Sequence, residues 1–221
     1  GQNMAYDHGH HGNAILSRFP ILDTHNQDVT HLLFEKRGLL HCRIALPERP
    51  AAHCVCVHLS LFGYSRRRQM AELANYLDRV AGPDSPLIIA GDFNDWHNRA
   101  GNLIAERLGM VEVFGGINGQ PARSFPATLP MFRLDRIYVR GFNVHEVRVP
   151  KGIEWSQRSD HMPLIADLEV TAGEQRDTHR LEVAGSQRVH VRLHVLAVGR
   201  LVAFDRHRVV PLVAGQDGHG G

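Results

Sequence analysis

The 221-residue sequence holds only three cysteines, too few for the disulfide framework of a small secreted fold. Cys54 and Cys56 lie two apart on an expected strand, where they share one face as small buried hydrophobes; alone they are not a zinc pair. No apolar run approaches the ~20 residues of a membrane-spanning helix. Charge of one sign is lacking too: 25 Lys and Arg stand against 23 Asp and Glu, a formal net charge of +2. That balance tolerates a phosphate-bearing partner without marking a nucleic-acid groove. The opening GQNMAYDHGHHGNAILSR has no signal-peptide pattern. These absences lead to the expectation of a cytoplasmic chain with no transmembrane segment.

What is present is globular: 43% hydrophobic and 22% charged residues, with length for one large domain or one domain and an appendage. GNAILSRFPIL predicts a short strand, Ala14 to Ser17, closed by Phe19-Pro20. RGLLHCRIAL (Arg37 to Leu46) and HCVCVHLSL (His53 to Leu61) predict two strands separated by the turn PERPAA, close enough to form a hairpin in a mixed sheet. Ser65 is the expected N-cap of a helix ending at Gly82-Pro83, with Met70, Leu73, Ala74 and Leu77 on its apolar face. Arg66, Arg67 and Arg68 fall in its first turn, unfavourably for the helix dipole, and are expected to form a solvated face; an anionic substrate nearby is the less favoured reading. PLIIAG predicts a strand buried on both sides, and a second helix is expected near Asn98 to Leu108. RLDRIYV and PLIADLEV add strands, which makes the class α/β.

After Val170 the texture changes to Val, Arg and His, fading into Gly. RVHVRLHVLAV alternates like an exposed strand, and the histidines lack ligand spacing and accompanying carboxylates. The division expected is therefore a main domain over 1–170 and an appendage of unknown order over 171–221.

The chemistry gathers at strand ends. LIIAGDFNDW runs four apolar residues into Gly-Asp-Phe-Asn-Asp, which is either a solvent turn or a site. VCVHLS ends on His58, and RSDHMPL places Asp160 and His161 just before a strand. FRLDRIYV sets Asp135 within an apolar strand, where an unpaired carboxylate would be costly. Each has an ordinary reading: His58 as a satisfied core histidine, Asp135 as the ion-pair partner of Arg133 or Arg136. Taken together, four such positions beside strand boundaries point to one site.

GNAILSRFPI, VHLS, GDFND, LDRIYV and SDHMPL, in this order over about residues 12 to 170, resemble the endonuclease/exonuclease/phosphatase superfamily. This is the fold of deoxyribonuclease I, apurinic endonucleases and neutral sphingomyelinases. The resemblance implies a DNase I-like sandwich of two mixed sheets flanked by helices. It also implies hydrolysis of a phosphodiester or phosphomonoester by activated water with Mg2+ (or Mn2+), on a nucleic acid, a phospholipid head group or another phosphate ester.

In that reading Asp92 is the general base, and Asn94, His58 and His161 stabilise the charged phosphoryl centre. Asp135 fixes the tautomer of His161 and raises its pKa. Asp160 and Asp92 face the metal, while Asn13, Asn94 and His58 contact or orient the substrate-binding groups. Asp95 and Trp96 are expected as structural or substrate-edge residues, and RSFPA (Arg123 to Ala127) as a loop near the substrate or a plain surface loop. The family pattern further implies an upstream Asn strand and a Glu as principal metal ligand. Neither is recognised before Gly12, so a domain missing its N-terminal strands is expected. The alternative that follows is an impaired homologue that only binds phosphorylated ligands or a partner.

Overall fold

Strand β7 (Leu87–Asp92) is buried along its whole length, because its two faces serve two different cores. The computed structural model describes residues 1–6, 9–47, 49–97, 99–171, 192–198 and 201–205. Within them β7 is central to a six-stranded sheet. The order is β4 (Ile21–Asp28), β5 (Gly38–Leu46), β6 (Arg49–His58), β7, β9 (Asp135–Arg140) and β8 (Val111–Glu112). β6 and β7 are parallel and the other pairs antiparallel, so the sheet is mixed, as the β5–β6 hairpin leads one to expect. The hairpin is tighter than PERPAA suggests, with β6 already paired from Arg49.

A second, five-stranded sheet runs β10 (Phe142–Arg148), β11 (Leu164–Val170), β12 (Arg192–Val198), β13 (Leu201–Asp205) and β3 (Ala14–Ser17). The last pair is parallel and the rest antiparallel. The stretch expected to be an appendage thus supplies two neighbouring strands of this sheet, between β11 and β3. The sequence could show alternation there, but not the long-range backbone pairing. A separate antiparallel pair is formed by β1 (Gln2–Tyr6) and β2 (Gly9–Gly12).

Period-2 alternation sorts the side chains of the six-stranded sheet. Ile88 and Ala90 of β7, Cys54 and Cys56 of β6 and Cys42 of β5 point into the core with Leu164, Ala166 and Leu168 of β11. All three cysteines are buried there and form no disulfide. Leu87 and Ile89, with Val55 and Val57, face the other way. Against them pack Met70, Leu73, Ala74 and Leu77 of α1 (Gly63–Val80) and Ile104 and Leu108 of α2 (Arg99–Leu108). Each Leu, Ile, Val or Met side chain among them contributes about 1.5–3 kcal/mol by leaving water. Two short helices, α3 (Val113–Asn118) and α4 (Ile153–Ser156), lie in the later connections.

Helix α1 starts earlier than Ser65. Its N-cap is Phe62, whose N–H donates to Ser60 Oγ at 3.1 Å, so the turn into the helix is made by Ser60 and Ser65 is buried inside it. The arginine run divides accordingly: Arg67 and Arg68 are exposed, whereas Arg66 is buried and donates to the carbonyls of Ser60 at 2.9 Å and Leu61 at 3.1 Å.

Candidate active site

The sheet register alone gathers three of the expected residues. Across the parallel β6–β7 pair His58 stands opposite Asp92, and across the antiparallel β7–β9 pair Asp92 stands opposite Asp135. One row at one end of the sheet therefore carries an imidazole and two carboxylates. Gly91 is needed just before it: φ is +133°, and a Cβ there would collide with the carbonyl oxygen of Val57 on β6.

His161, in the loop before β11, closes over this row. Its Nδ1 lies 2.6 Å from Asp135 Oδ2, and its Nε2 lies 4.0 Å from Asp92 Oδ2. His58 Nε2 is 3.5 Å from the same Asp92 oxygen. Asn94 sits in the left-handed region with φ 48°, a conformation Asn tolerates better than most residues. Its backbone N–H donates to Asp92 Oδ1 at 2.8 Å, and its side-chain amide donates to Asp92 Oδ2 at 3.2 Å and to the Leu59 carbonyl at 3.0 Å. Asn94 thereby fixes the carboxylate of Asp92 against the chain leaving β6.

Burial and the neighbouring Asp135 push the Asp92 carboxyl up to about 7. Burial disfavours the cation of His161, yet its bond to Asp135 and the charges of Asp135, Asp92 and Asp160 carry it up to about 9. At neutral pH the site holds an imidazolium beside an acid poised to lose its proton. The carboxylate of Asp135 is thus taken by His161. Arg133 instead donates to the Pro121 carbonyl and Gln120 Oε1, and Arg136 to the Arg133 and Asp135 carbonyls.

Ligand atoms of Asp92, Asp135 and His161 lie within 4.8 Å of one another. Of these, the Asp92 carboxylate suits a hard divalent ion: it is buried, and a cation would relieve the repulsion that lifts its pKa. A protonated His161 has no lone pair to offer. Asp160 is exposed at the rim; its backbone carbonyl accepts from Ala127 N at 2.7 Å. Asn13 is buried deeper in the sandwich, where its amide donates to the Gly38 carbonyl at 2.6 Å and the Cys56 carbonyl at 3.2 Å. Its Oδ1 finds no partner among the described residues.

Other residues support the site, some of them, such as Arg37 and Glu35, outside every motif. Arg37 Nη1 stands 3.5 Å from His58 Nδ1 and its Nη2 donates to Glu35 at 2.8 Å. Ser124 Oγ accepts from Asp135 N at 3.2 Å, and Phe125 of RSFPA lays its ring 4.9 Å from that of His161. Asp95 is buried, accepting from Gly101 N in the first turn of α2 at 3.2 Å and facing Arg66 Nε at 4.0 Å. Trp96 meets Phe132 edge-on at 4.7 Å beside a cavity of about 270 Å3 that Met131, Arg133 and Arg136 also line. The signal for Arg37 and Glu35 was a charged cluster in an otherwise apolar loop, HLLFEKRGLL. Arg66 and Asp95 stand out in the sequence only as a solvated cation and an edge residue, and nothing there signals that they are buried and face each other.

The Escherichia coli K12 protein YbhP is 43% identical over 170 residues, which cover 76% of this chain and 66% of that protein. Among solved structures, an endonuclease/exonuclease/phosphatase from Beutenbergia cavernae superposes with a TM-score of 0.59 at 18% identity, covering 82% of this chain and 53% of the other. D. rerio TDP2 in complex with a single-strand DNA product gives a TM-score of 0.54 at 17% identity, covering 66% of each chain. Such identities establish the shared sandwich and nothing finer. The sequence pattern of the Endonuclease/Exonuclease/phosphatase family matches residues 3–161, and on that match the chain belongs to this family.

Proposed function

We propose that the chain hydrolyses a phosphate ester, a phosphodiester or phosphomonoester, by direct attack of water. The observation that carries this reading is the 4.0 Å separation of Asp92 Oδ2 and His161 Nε2, with His161 fixed from behind by Asp135. A base and a cation lie side by side, close enough for Asp92 to hold a water and His161 a phosphoryl oxygen of the same ester.

The roles follow from the protonation each environment favours. Asp92, with a pKa near neutral, accepts the proton of water as the water oxygen bonds phosphorus. The P–O bond to the leaving group breaks, and the leaving oxygen takes its proton from solvent. Asp135 accepts from His161 Nδ1–H, which leaves Nε2–H directed at the charge that builds on the phosphoryl oxygens. The ring of His58 adds a donor on the same side, while Asn94, whose amide donates to the Leu59 carbonyl and to Asp92, positions the base. Asn13 acts at one remove, holding β5 and β6 together beneath His58. Asp92, with Asp160 at the rim, would hold a magnesium or manganese ion. Such an ion, when bound, supplies Lewis-acid neutralisation of the phosphoryl oxygens.

The test is release of nitrophenolate from bis(p-nitrophenyl) phosphate and from p-nitrophenyl phosphate, with magnesium, with manganese and with excess chelator. Turnover of either ester that disappears with chelator and returns with the metal is expected. No turnover of either ester under any of these conditions would reject the reading.

A further inference from the structure

Two loops beside the site carry large apolar side chains outward. The first, between β4 and β5, presents Leu33 and Phe34, which are 89% and 74% exposed. The second, between β6 and α1, presents Leu61 and Phe62, and Tyr64 follows on the first turn of the helix; all three are half exposed or more. Phe34 and Phe62 meet edge to face with ring centres 5.9 Å apart, so the two loops form one patch. Isolated exposed leucines are ordinary, but five large apolar side chains together mark a surface that something covers.

The display is built rather than loose. Buried Glu35 accepts from Ser60 Oγ and from Leu61 N at 3.0 Å, locking the first loop onto the second. Buried Gln69 of α1 accepts from Ser60 N at 2.8 Å and donates to the Val29 carbonyl at 3.0 Å, tying both loops to the helix. Arg66 holds the Ser60 and Leu61 carbonyls. His31 meets Glu72 of α1 at 3.1 Å. With the polar groups of both loops turned inward, the apolar tips are held facing solvent.

The charge around the tips has one sign. In segments 31–37 and 59–68, Arg37 is paired with the single acid Glu35 and Arg66 is buried against Asp95, which leaves Lys36, Arg67 and Arg68 as charges of one sign. Arg67 and Arg68 are exposed, and Arg68 lies over the Tyr64 ring at 5.9 Å. Apolar tips within a basic rim match the interface of an anionic bilayer, acyl chains below and phosphate above. A nucleic acid would use the aromatic rings and arginines but gains nothing from an exposed Leu33.

We propose that these two loops dock the protein on an anionic lipid bilayer. No helix among the described residues is long and apolar enough to cross a membrane; the loops would act at its surface. Arg37 joins the two features, since it holds Glu35 of the patch and approaches His58 of the site. Docking therefore sets the mouth of the site at the level of lipid phosphates. That the ester met there is a lipid head group rests on the hydrolytic reading above; the docking itself does not.

The experiment is co-sedimentation of the 221-residue chain with vesicles of phosphatidylcholine alone or in equal parts with phosphatidylglycerol. Pelleting with the mixed vesicles is expected, weakened by salt and at least about tenfold weaker on phosphatidylcholine alone. The double substitution Leu33→Ser with Phe34→Ser should weaken binding to the mixed vesicles by about tenfold or more, with an unchanged circular dichroism spectrum and unchanged hydrolysis of the soluble nitrophenyl esters. Arg67→Ser with Arg68→Ser should remove the preference for the anionic vesicles. Absence of pelleting with either vesicle overturns the proposal, as does equal binding by the Leu33/Phe34 variant. So do a dimer by light scattering that this variant abolishes, and binding of single-stranded oligonucleotide, lost in the variants, without binding of vesicles.

Discussion

Asp135 and His161, 26 positions apart in the chain, are joined by a 2.6 Å contact between a fully buried carboxylate and an imidazole that also faces Asp92 and Phe125. A strand end and the loop before another strand thus meet at a single hydrogen bond, and that bond sets the charge of the site.

Substituting Asp135→Asn should separate charge from shape. The amide keeps the size of the side chain but removes the charge that lifts the His161 pKa to about 9. A pKa raised in the folded state contributes stability that is complete below the unfolded value near 6.5 and is lost as pH rises through 9. The variant should therefore show a lower imidazole pKa by NMR in chelator, and a smaller fall in melting temperature between pH 6.5 and pH 9. Turnover should drop ~10²–10³-fold. An unchanged imidazole titration would contradict the role given to Asp135.

A second pair of histidines acts in the opposite sense, away from the site. His41 and His53 are buried on the α1 side of the six-stranded sheet, with His41 Nε2 3.1 Å from His53 Nδ1 and His41 Nδ1 2.7 Å from Tyr76 OH. Burial, reinforced by His53, lowers the pKa of His41 to about 4; burial likewise lowers that of His53. The unfolded chain binds these protons first, so the stability held above pH 6.5 should fall as pH drops toward 4. Urea midpoints across that window should fall steeply in the native chain and more gently in His41→Phe. Parallel curves for the two would remove the pair from the explanation.

Asp95→Ala should cost stability. The sequence leaves Asp95 as a minor structural or edge residue, but it satisfies a first-turn N–H of α2 and faces the buried Arg66. Loss of both contacts is worth about 2 kcal/mol, or a melting temperature lower by ~4–8 °C. The change should act on folding more than on chemistry, so kcat of the folded fraction should stay within about tenfold of native, whereas Asp92 variants lose far more. Equal losses at the two positions would contradict the division.

Trp96→Ala and Phe132→Ala should raise KM for an aryl phosphodiester while leaving kcat little changed. The two rings meet at 4.7 Å on the wall of a cavity beside the site whose lining contains no carboxylate. Loss of an exposed stacking surface removes uniform binding, worth about 1 kcal/mol or a fivefold rise in KM. A fall in kcat alone would place them nearer the chemistry.

The parts legible in the sequence are those in which one local pattern determines the outcome. Leu87 to Ala90 are apolar without interruption, and they form a strand buried on both faces. Ala14–Ser17 and the apolar face of α1 are similarly local. His58, Asp92 and Asp135 stood out because each is polar where a buried strand ends, and the register then aligns them. Strand β4 was missed because nearly all of it is exposed at the sheet edge and polar, so its pairing with β5 leaves no periodic trace. Arg66 looked like one of three solvated cations, and its burial depends on Ser60, Leu61 and Asp95 arriving from two other connections. The pairing of β12 and β13 into the second sheet is likewise a long-range event that alternation alone does not specify.

The most direct measurement of the central claim is the magnesium-dependent turnover of bis(p-nitrophenyl) phosphate by the native chain and by Asp92→Asn. Asn keeps an oxygen to accept from Asn94 N, gives up the acceptor of the Asn94 amide, and cannot accept a proton from water. Expected is chelator-sensitive turnover in the native chain and a loss of ~10²–10⁴-fold in the variant, with the fold intact by circular dichroism. Turnover by Asp92→Asn within a few-fold of native would contradict the assignment of Asp92 as the base and, with it, the site described here.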